Sequence, residues 1–347
     1  MNTSTAIVAA VAAFCAAQSF AADDTATLRV NVDAGATNAL KAADVAPGVA
    51  SIVKTGAGAL AVPSMPNYAG TFDIQGGAFQ VSGACGTTGA VVNVRNGASL
   101  EFVSRDGAAC RTPKVRFAAS AGETQSITGG VYDERPTMAG IEKTGAGTLF
   151  IDSPVCVEGF VDIQAGTLKI ANRANMNGSS VDEVIAPMPV LDKLSFGAGT
   201  TLDLSDSMGC QITDIVGSPS VTNSGVFGVI GKWTLTSPKE VLSVAGSNPH
   251  LASANMAGLL AFADCAEFDF KDAAAEAAYS NAVAAAGSAG LVVARARWIM
   301  DDGSQMGDTL LAMPQPTSST SKRWAMHVGD NHTTLRLALS TDGAKGK

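Results

Sequence analysis

Residues 52–82 read IVKTGAGALAVPSMPNYAGTFDIQGGAFQVS, and residues 141–171 read IEKTGAGTLFIDSPVCVEGFVDIQAGTLKIA. A shift of 89 positions aligns the two 31-residue stretches without a gap and with 13 identities. Ile52, Lys54, Thr55, Gly56, Ala57, Gly58 and Leu60 recur at 141, 143, 144, 145, 146, 147 and 149; Ser64, Gly70, Asp73, Ile74, Gln75 and Gly77 recur at 153, 159, 162, 163, 164 and 166. Repetition on this scale signals a unit that buries its apolar face by stacking on a neighbour.

Within each copy the apolar pattern has a period of two. Leu60, Val62, Phe72, Ile74, Phe79 and Val81 are matched by Leu149, Ile151, Val161, Ile163, Leu168 and Ile170, so these positions share one face. The residues between them change freely, as at Ala59/Thr148, Pro63/Asp152 and Gln80/Lys169, while Asp73/Asp162 stay acidic. Each copy is expected to give three short strands, broken at Gly56-Ala57-Gly58, around Asn67 to Gly70, and at Gly76-Gly77. Gly145, Gly147 and Gly166 take the turn positions of Gly56, Gly58 and Gly77 in the second copy. Short strands with one buried face and glycine at the corners describe the coils of a parallel β-helix or a related β-solenoid, an all-β fold.

The motifs KTGAGAL…YAGTFDIQGGAFQV and KTGAGTL…GFVDIQAGTLKI resemble the autotransporter-associated β-strand repeat, roughly K-x-G-x-G-x-L followed by a Y-x-G-like turn and x-V-x-x-G-x-L. The second copy departs from it, with Val157-Glu158-Gly159 where the first has Tyr68-Ala69-Gly70. The resemblance implies a right-handed β-helical passenger of a secreted or surface-displayed bacterial protein, and it brings no catalytic residues with it.

Outside the repeats the chain continues in the same idiom. Strands are expected at Thr27 to Val32, Val91 to Val94, Ser99 to Val103, Val115 to Phe117, Ser126 to Val131, Leu191 to Phe196, Thr201 to Leu204, Val226 to Ile230 and Lys232 to Thr236. Gly35 to Pro47 reads as a loop or short helix. Composition shifts near Gly246, where Asp272 to Ala286 forms one helix with Asp272 as N-cap and Gly287 as its stop. Strands at Leu291 to Met300, Thr309 to Met313, Arg323 to Val328 and Thr333 to Leu339 follow, with turns at Asp301 to Gly303 and Gly329 to Asn331. The expected organisation is a signal peptide at 1–21, a β-solenoid at 22–245 and a small mixed C-terminal cap at 246–347, made of one short helix and antiparallel strands that close the solenoid edge.

Residues 1–22 carry no charged side chain, and Ala6 to Ala17 lacks polar side chains. With Ser19 and Ala21 before a cleavage point, this start reads as a secretory signal that directs the protein out of the cell or to its surface. No later apolar run is long enough to span a bilayer. Only 16% of the 347 residues are charged and 5% aromatic, with 37 glycines, which suits thin repetitive β-structure. A net charge of -8 leaves no basic stripe for nucleic acid.

Catalytic signatures are sparse. Gly56-x-Gly58 and Gly145-x-Gly147 are followed by a strand where a dinucleotide site needs a helix, and GVFGVIGK at 225–232 has one residue too many for a P-loop and Trp233 where its hydroxyl should stand. His250, His327 and His332 are too few for a triad or a metal site, the last two reading as turn flanks. Asp301, Asp302 and Asp308 lack calcium-loop spacing. No cofactor or metal is expected. The rival reading is a carbohydrate-active β-helix enzyme, a polysaccharide lyase or glycoside hydrolase, using outward carboxylates such as Asp73, Asp162, Glu101 and Asp203. Residues that recur with the architecture are more simply solvated positions, which favours a non-catalytic structural or adhesin-like protein meeting an extracellular glycan or a surface protein.

Six cysteines are present, one of them, Cys15, in the signal segment. Export permits disulfides, and Cys85 and Cys110, 25 residues or about one coil apart, are the favoured pair among Cys85, Cys110, Cys156, Cys210 and Cys265.

Overall fold

The computed structural model of the chain describes residues 27–103, 110–130, 136–171, 193–206, 209–246, 257–263, 265–299, 313–317 and 324–339. The segment 1–21 expected to be a signal peptide, His250, the aspartates at 301, 302 and 308, and nearly all of the strand expected at 309–313 lie outside them.

Successive strands alternate between two long sheets, so that each circuit of the chain lays one strand on each. The first sheet takes Thr27–Asn31, Ser51–Thr55, Thr71–Ile74, Val91–Val94, Arg111–Ala118, Thr137–Thr144, Val161–Ile163, Lys193–Phe196, Gly209–Val216 and Val226–Leu235 in that order. The second takes Thr37–Ala39, Ala59–Val62, Gly77–Val81, Ala98–Phe102, Thr124–Gly129, Thr148–Asp152, Thr167–Ile170, Thr201–Leu204, Ser220–Asn223 and Leu242–Gly246. All these neighbours pair in parallel, which makes the chain a β-solenoid.

The period of two carries directly into burial. Leu60, Val62, Phe72, Ile74, Phe79 and Val81 have no exposed surface, nor do Leu149, Ile151, Val161, Ile163 and Leu168. Their partners across the parallel ladders are again apolar, as in Ile52 against Phe72 and Leu60 against Phe79. Each coil therefore offers the next one a dry aliphatic layer, and the apolar area it buries is the main stabilisation of the stack.

Two features differ from the sequence-based expectation. Each 31-residue copy holds four main-sheet strands, because Ser51–Thr55 and Thr137–Thr144 are strands as well. One copy is thus two stacked coils, and a third, short side closes each circuit: Met65 bridges Cys85, Ala84 bridges Arg111, and Arg111, Thr137 and Cys156 continue the file. The copies themselves are not adjacent, since the coils of Val91–Val94 and Arg111–Ala118 lie between them.

The parallel stack also runs beyond residue 246. Leu259–Phe262 and Glu267–Phe270 add in parallel to Val226–Leu235, and Leu291–Ala296 adds in parallel to Leu242–Gly246. Antiparallel pairing begins only where Leu291–Ala296 meets Thr334–Leu339, which in turn pairs with Trp324–Gly329. Helix α1 (Ala273–Ala286) is capped as expected: the Asp272 carboxylate accepts from the Ala275 N–H at 2.8 Å, and Gly287 closes it. Its Tyr279 donates to the Ser237 carbonyl at 2.7 Å, and Trp324 donates to Glu276 at 2.8 Å. With Phe270 packed against both rings, this aromatic knot fastens the cap to the last coils. Among the described residues no helix is long and apolar enough to cross a membrane.

Candidate functional site

The identities of the repeat converge on one corner. Lys54 lies at the end of its strand, in phase with buried Ile52, so its side chain points inward, and it has no exposed surface. A lysine here needs acceptors, and the corner backbone supplies them. Lys54 Nζ donates to the carbonyls of Gly56 at 2.7 Å and Gly76 at 2.6 Å, with Thr55 at 3.4 Å. Lys143 repeats the arrangement with Gly145 at 2.8 Å, Ala165 at 2.7 Å and Thr144 at 3.4 Å.

Gly56 belongs to the coil of Lys54 and Gly76 to the next, so one ammonium ties two stacked corners together. An ammonium has three donors and no acceptor, which matches corner carbonyls that lie outside the ladders, Gly56 and Gly76 in one copy and Gly145 and Ala165 in the other, while the Thr55 carbonyl also accepts from the Val32 N–H. Burial lowers the Lys54 ammonium and pushes Lys143 down to about 8, still largely protonated at neutral pH.

Gly77 and Gly166 explain their own recurrence at this corner. Both sit at positive φ, +65° and +74°. A Cβ on either would fall 2.7 Å from the lysine Nζ and collide with the carbonyl oxygen of Gly58 or Gly147. Gly56 and Gly145 are likewise at positive φ, while a Cβ on Gly58 or Gly147 would strike the backbone of the preceding coil. All six turn glycines read from the sequence therefore stand at corners, and the lysines complete the unit. Sequence reasoning missed the lysines because a lysine in a strand reads by default as an outward residue. The signal was available: Lys54 and Lys143 are in phase with Ile52 and Ile141. Gln125, also buried, serves the corner between the two copies, donating to the carbonyls of Val94 at 2.9 Å and Arg95 at 2.6 Å.

The four carboxylates weighed from the sequence, Asp73, Asp162, Glu101 and Asp203, are dispersed along the rod. Asp73, Asn93, Arg116, Glu142 and Asp162 form one continuous file on the first sheet. Four strand spacings separate Asp73 from Asp162, about 19 Å, whereas paired glycosidase carboxylates stand no more than about 9.5 Å apart. Asp73 is held by Arg95 at 2.7 Å and by Gln75 at 2.8 Å, and Gln164 donates to Asp162 at 3.0 Å. Between them Glu142 pairs with Lys114 and Arg116, and the Lys114 hydrogen bond holds its carboxyl below the usual range. On the second sheet Glu101 accepts from Gln80 at 2.8 Å. Asp203, four strands further on, joins Asp206 around Lys169, at 3.8 and 2.9 Å from its Nζ. The Asp206 hydrogen bond raises the Lys169 ammonium, so the lysine stands as a fixed cation between two carboxylates. A recess of about 360 Å³ lined by Arg95, Asn96, Ser120 and Gly145 opens at the corner beside the second copy.

His327 stands exposed on its strand, and His332, in a turn of three successive residues at positive φ, stacks on Trp298 at 4.5 Å. Among the described residues no group of three or more His, Cys, Asp or Glu side chains is placed to hold a metal ion. The GVFGVIGK stretch runs mainly within the single strand Val226–Leu235, with Trp233 buried and donating to the Gly217 carbonyl at 3.0 Å.

Cys85 and Cys110 do lie on adjacent coils, and both are buried. The bridge between Ala84 and Arg111 sets them two residues out of register. That offset puts their Cα atoms about 8 Å apart, past the roughly 7 Å a disulfide spans. The 25-residue spacing gave the coil but not the register. Comparison of the chain with family models, with curated proteins and with solved structures returns no match.

Proposed function

We propose that this protein is an exported bacterial β-solenoid that acts without catalysis, as a structural or adhesin-like element secreted or held at the cell surface. The observation that carries the reading is how the repeat spends its identities. Lys54, Gly56, Gly58, Leu60 and Gly77, with their second-copy equivalents, go into corners and interior, so what recurs is architecture. Many outward positions differ between the copies, as at Ala59/Thr148 and Gln80/Lys169, and the carboxylates that recur and were weighed as an acid/base pair, Asp73 and Asp162, are too far apart to share one glycosidic bond. A stiff rod with a varied surface suits presentation to an extracellular glycan or a surface protein.

The uncharged start of the chain and the resemblance of its repeats to autotransporter-associated strands support export. Two measurements test the whole. N-terminal sequencing of protein recovered outside the cytoplasm should begin near Ala22 or Asp23, and intact Met1 on that protein would refute processing. Incubation with polysaccharides should release no reducing ends or unsaturated products, and turnover abolished by Asp73→Asn or Asp162→Asn in a folded protein would refute the non-catalytic reading.

A further inference from the structure

One outward file of the second sheet is built from hydroxyls alone. Thr124 pairs with Thr148, Thr148 with Thr167, Thr167 with Thr201, Thr201 with Ser220, and Ser220 with Ser243. Six successive strands thus carry a hydroxyl in a straight line at the strand spacing of about 4.8 Å, some 24 Å end to end. All six side chains are exposed or half-exposed. The line ends against Arg295.

Outward threonines suit strands and pair well across them, which accounts for individual members. Two observations go further. Hydroxyls elsewhere are used within the fold: Thr55 donates to Asn31, Thr144 to the Phe117 carbonyl, Thr200 to the Gly197 carbonyl and Ser224 to the Ser205 carbonyl. None of the six in the line makes a side-chain hydrogen bond among the described residues, so their donors and acceptors face solvent. The adjacent file, Ser126, Phe150, Lys169, Asp203 and Thr222, places an aromatic ring and an ion cluster beside the line. Lys169 Nζ stands 6.0 Å from the Phe150 ring centre, and Asp206 and Asp203 fix it there.

We propose that this face binds an extended, uncharged polysaccharide lying along the solenoid axis, an inference that rests on the non-catalytic presenting role above. Such a chain carries hydroxyls at every ring and repeats at a spacing close to that of parallel strands. The hydroxyl line meets it donor to acceptor over several rings, and the Phe150 face takes the C–H side of one ring. Lys169 is already neutralised by two carboxylates and Arg295 stands only at the end of the line, so the middle of the face has no spare cation to favour an anionic polymer.

The test uses the full secreted chain and four probes: microcrystalline cellulose, chitin, soluble xylan and soluble galactomannan. Wild type should be retained by at least one of them in pull-down or affinity electrophoresis. The triple variant Thr148→Val/Thr167→Val/Thr201→Val keeps side-chain shape and strand preference and should bind at least ten-fold more weakly. Ser51→Val/Thr71→Val, an outward pair on the other sheet, should stay within two-fold. If the triple variant melts early, Phe150→Thr serves instead and should weaken binding at least three-fold. No retention of wild type on any probe, or equal retention of the folded triple variant, overturns the proposal. So does hydroxyl-dependent shaping of ice crystals without polymer binding. Cleavage of a retained polymer would refute the non-catalytic role and leave the binding face standing, so the two failures are distinguishable.

Discussion

Replacing Lys143 with methionine removes the staple while keeping the side chain's length and apolar stem. The wild-type ammonium makes two short bonds, to Gly145 at 2.8 Å and Ala165 at 2.7 Å, and one long contact to Thr144 at 3.4 Å. In Lys143→Met the two carbonyls lose their donor in a place with no exposed side-chain surface. Each orphaned buried acceptor costs about 1–3 kcal/mol. Relief from no longer burying a charge offsets part of that loss, and methionine refills the volume, so the cavity contribution is small. The expected net loss is about 2 kcal/mol, or ~3 °C in a thermal melt of a chain this size. Lys54→Met should cost the same, and the double variant should lose the sum, because the two corners are too far apart to couple. Circular dichroism melts of the three variants measure this. Replacing buried ion pairs with apolar residues is often neutral or stabilising, because both partners leave together. Here the acceptors are backbone and cannot leave, so a Lys143→Met protein as stable as wild type would refute the stapling account.

Further outcomes follow from the same geometry. With the native Lys143 near 8 and its unfolded value at 10.5, the unfolded chain keeps a proton between those limits that the folded chain has lost. Wild-type stability relative to Lys143→Met should therefore be flat below pH 8 and rise from pH 8 toward 10.5; a fall over that window in paired urea titrations would contradict the burial of the ammonium. Gly166→Ala, at φ +74° and against both the Gly147 carbonyl and Lys143 Nζ, should cost at least about 3 kcal/mol, more than losing the lysine. Leu149→Asp should cost several kcal/mol, and Thr148→Asp no more than about 0.5, in the same melts; equal losses would overturn the inward and outward assignment. Native alkylation followed by mass spectrometry should label exposed Cys265, with Cys85 and Cys110 reacting only after unfolding without reductant; failure to react then would show that they are bridged. Burial also raises the Cys85 thiol, which slows it further.

The sequence by itself determined the two-residue periodicity, the corners and hence the solenoid. Alternation of Leu60, Val62, Phe79 and Val81 with variable residues admits one buried face per strand, and a repeat with turn glycines needs a neighbouring coil to cover it. The helix cap at Asp272 and the stop at Gly287 were equally local, since a side chain bonding three residues along needs no distant partner. What the tertiary structure decided is everything that depends on which residue lies above which. A 31-residue copy proved to be two coils, because the segments before each Gly-x-Gly turn, Ser51–Thr55 and Thr137–Thr144, are strands of the stack as well. The Cys85 and Cys110 offset, the separation of Asp73 from Asp162, and the hydroxyl line from Thr124 to Ser243 are all matters of register between coils of unequal length. A chain fixes the phase of each strand by its own pattern, but the vertical alignment of twenty-odd-residue circuits is set by how loops of different length close. Lys54 and Lys143 show the same division: they share the phase of Ile52 and Ile141, yet only the stacked carbonyls of two successive corners revealed that their charge lies inside.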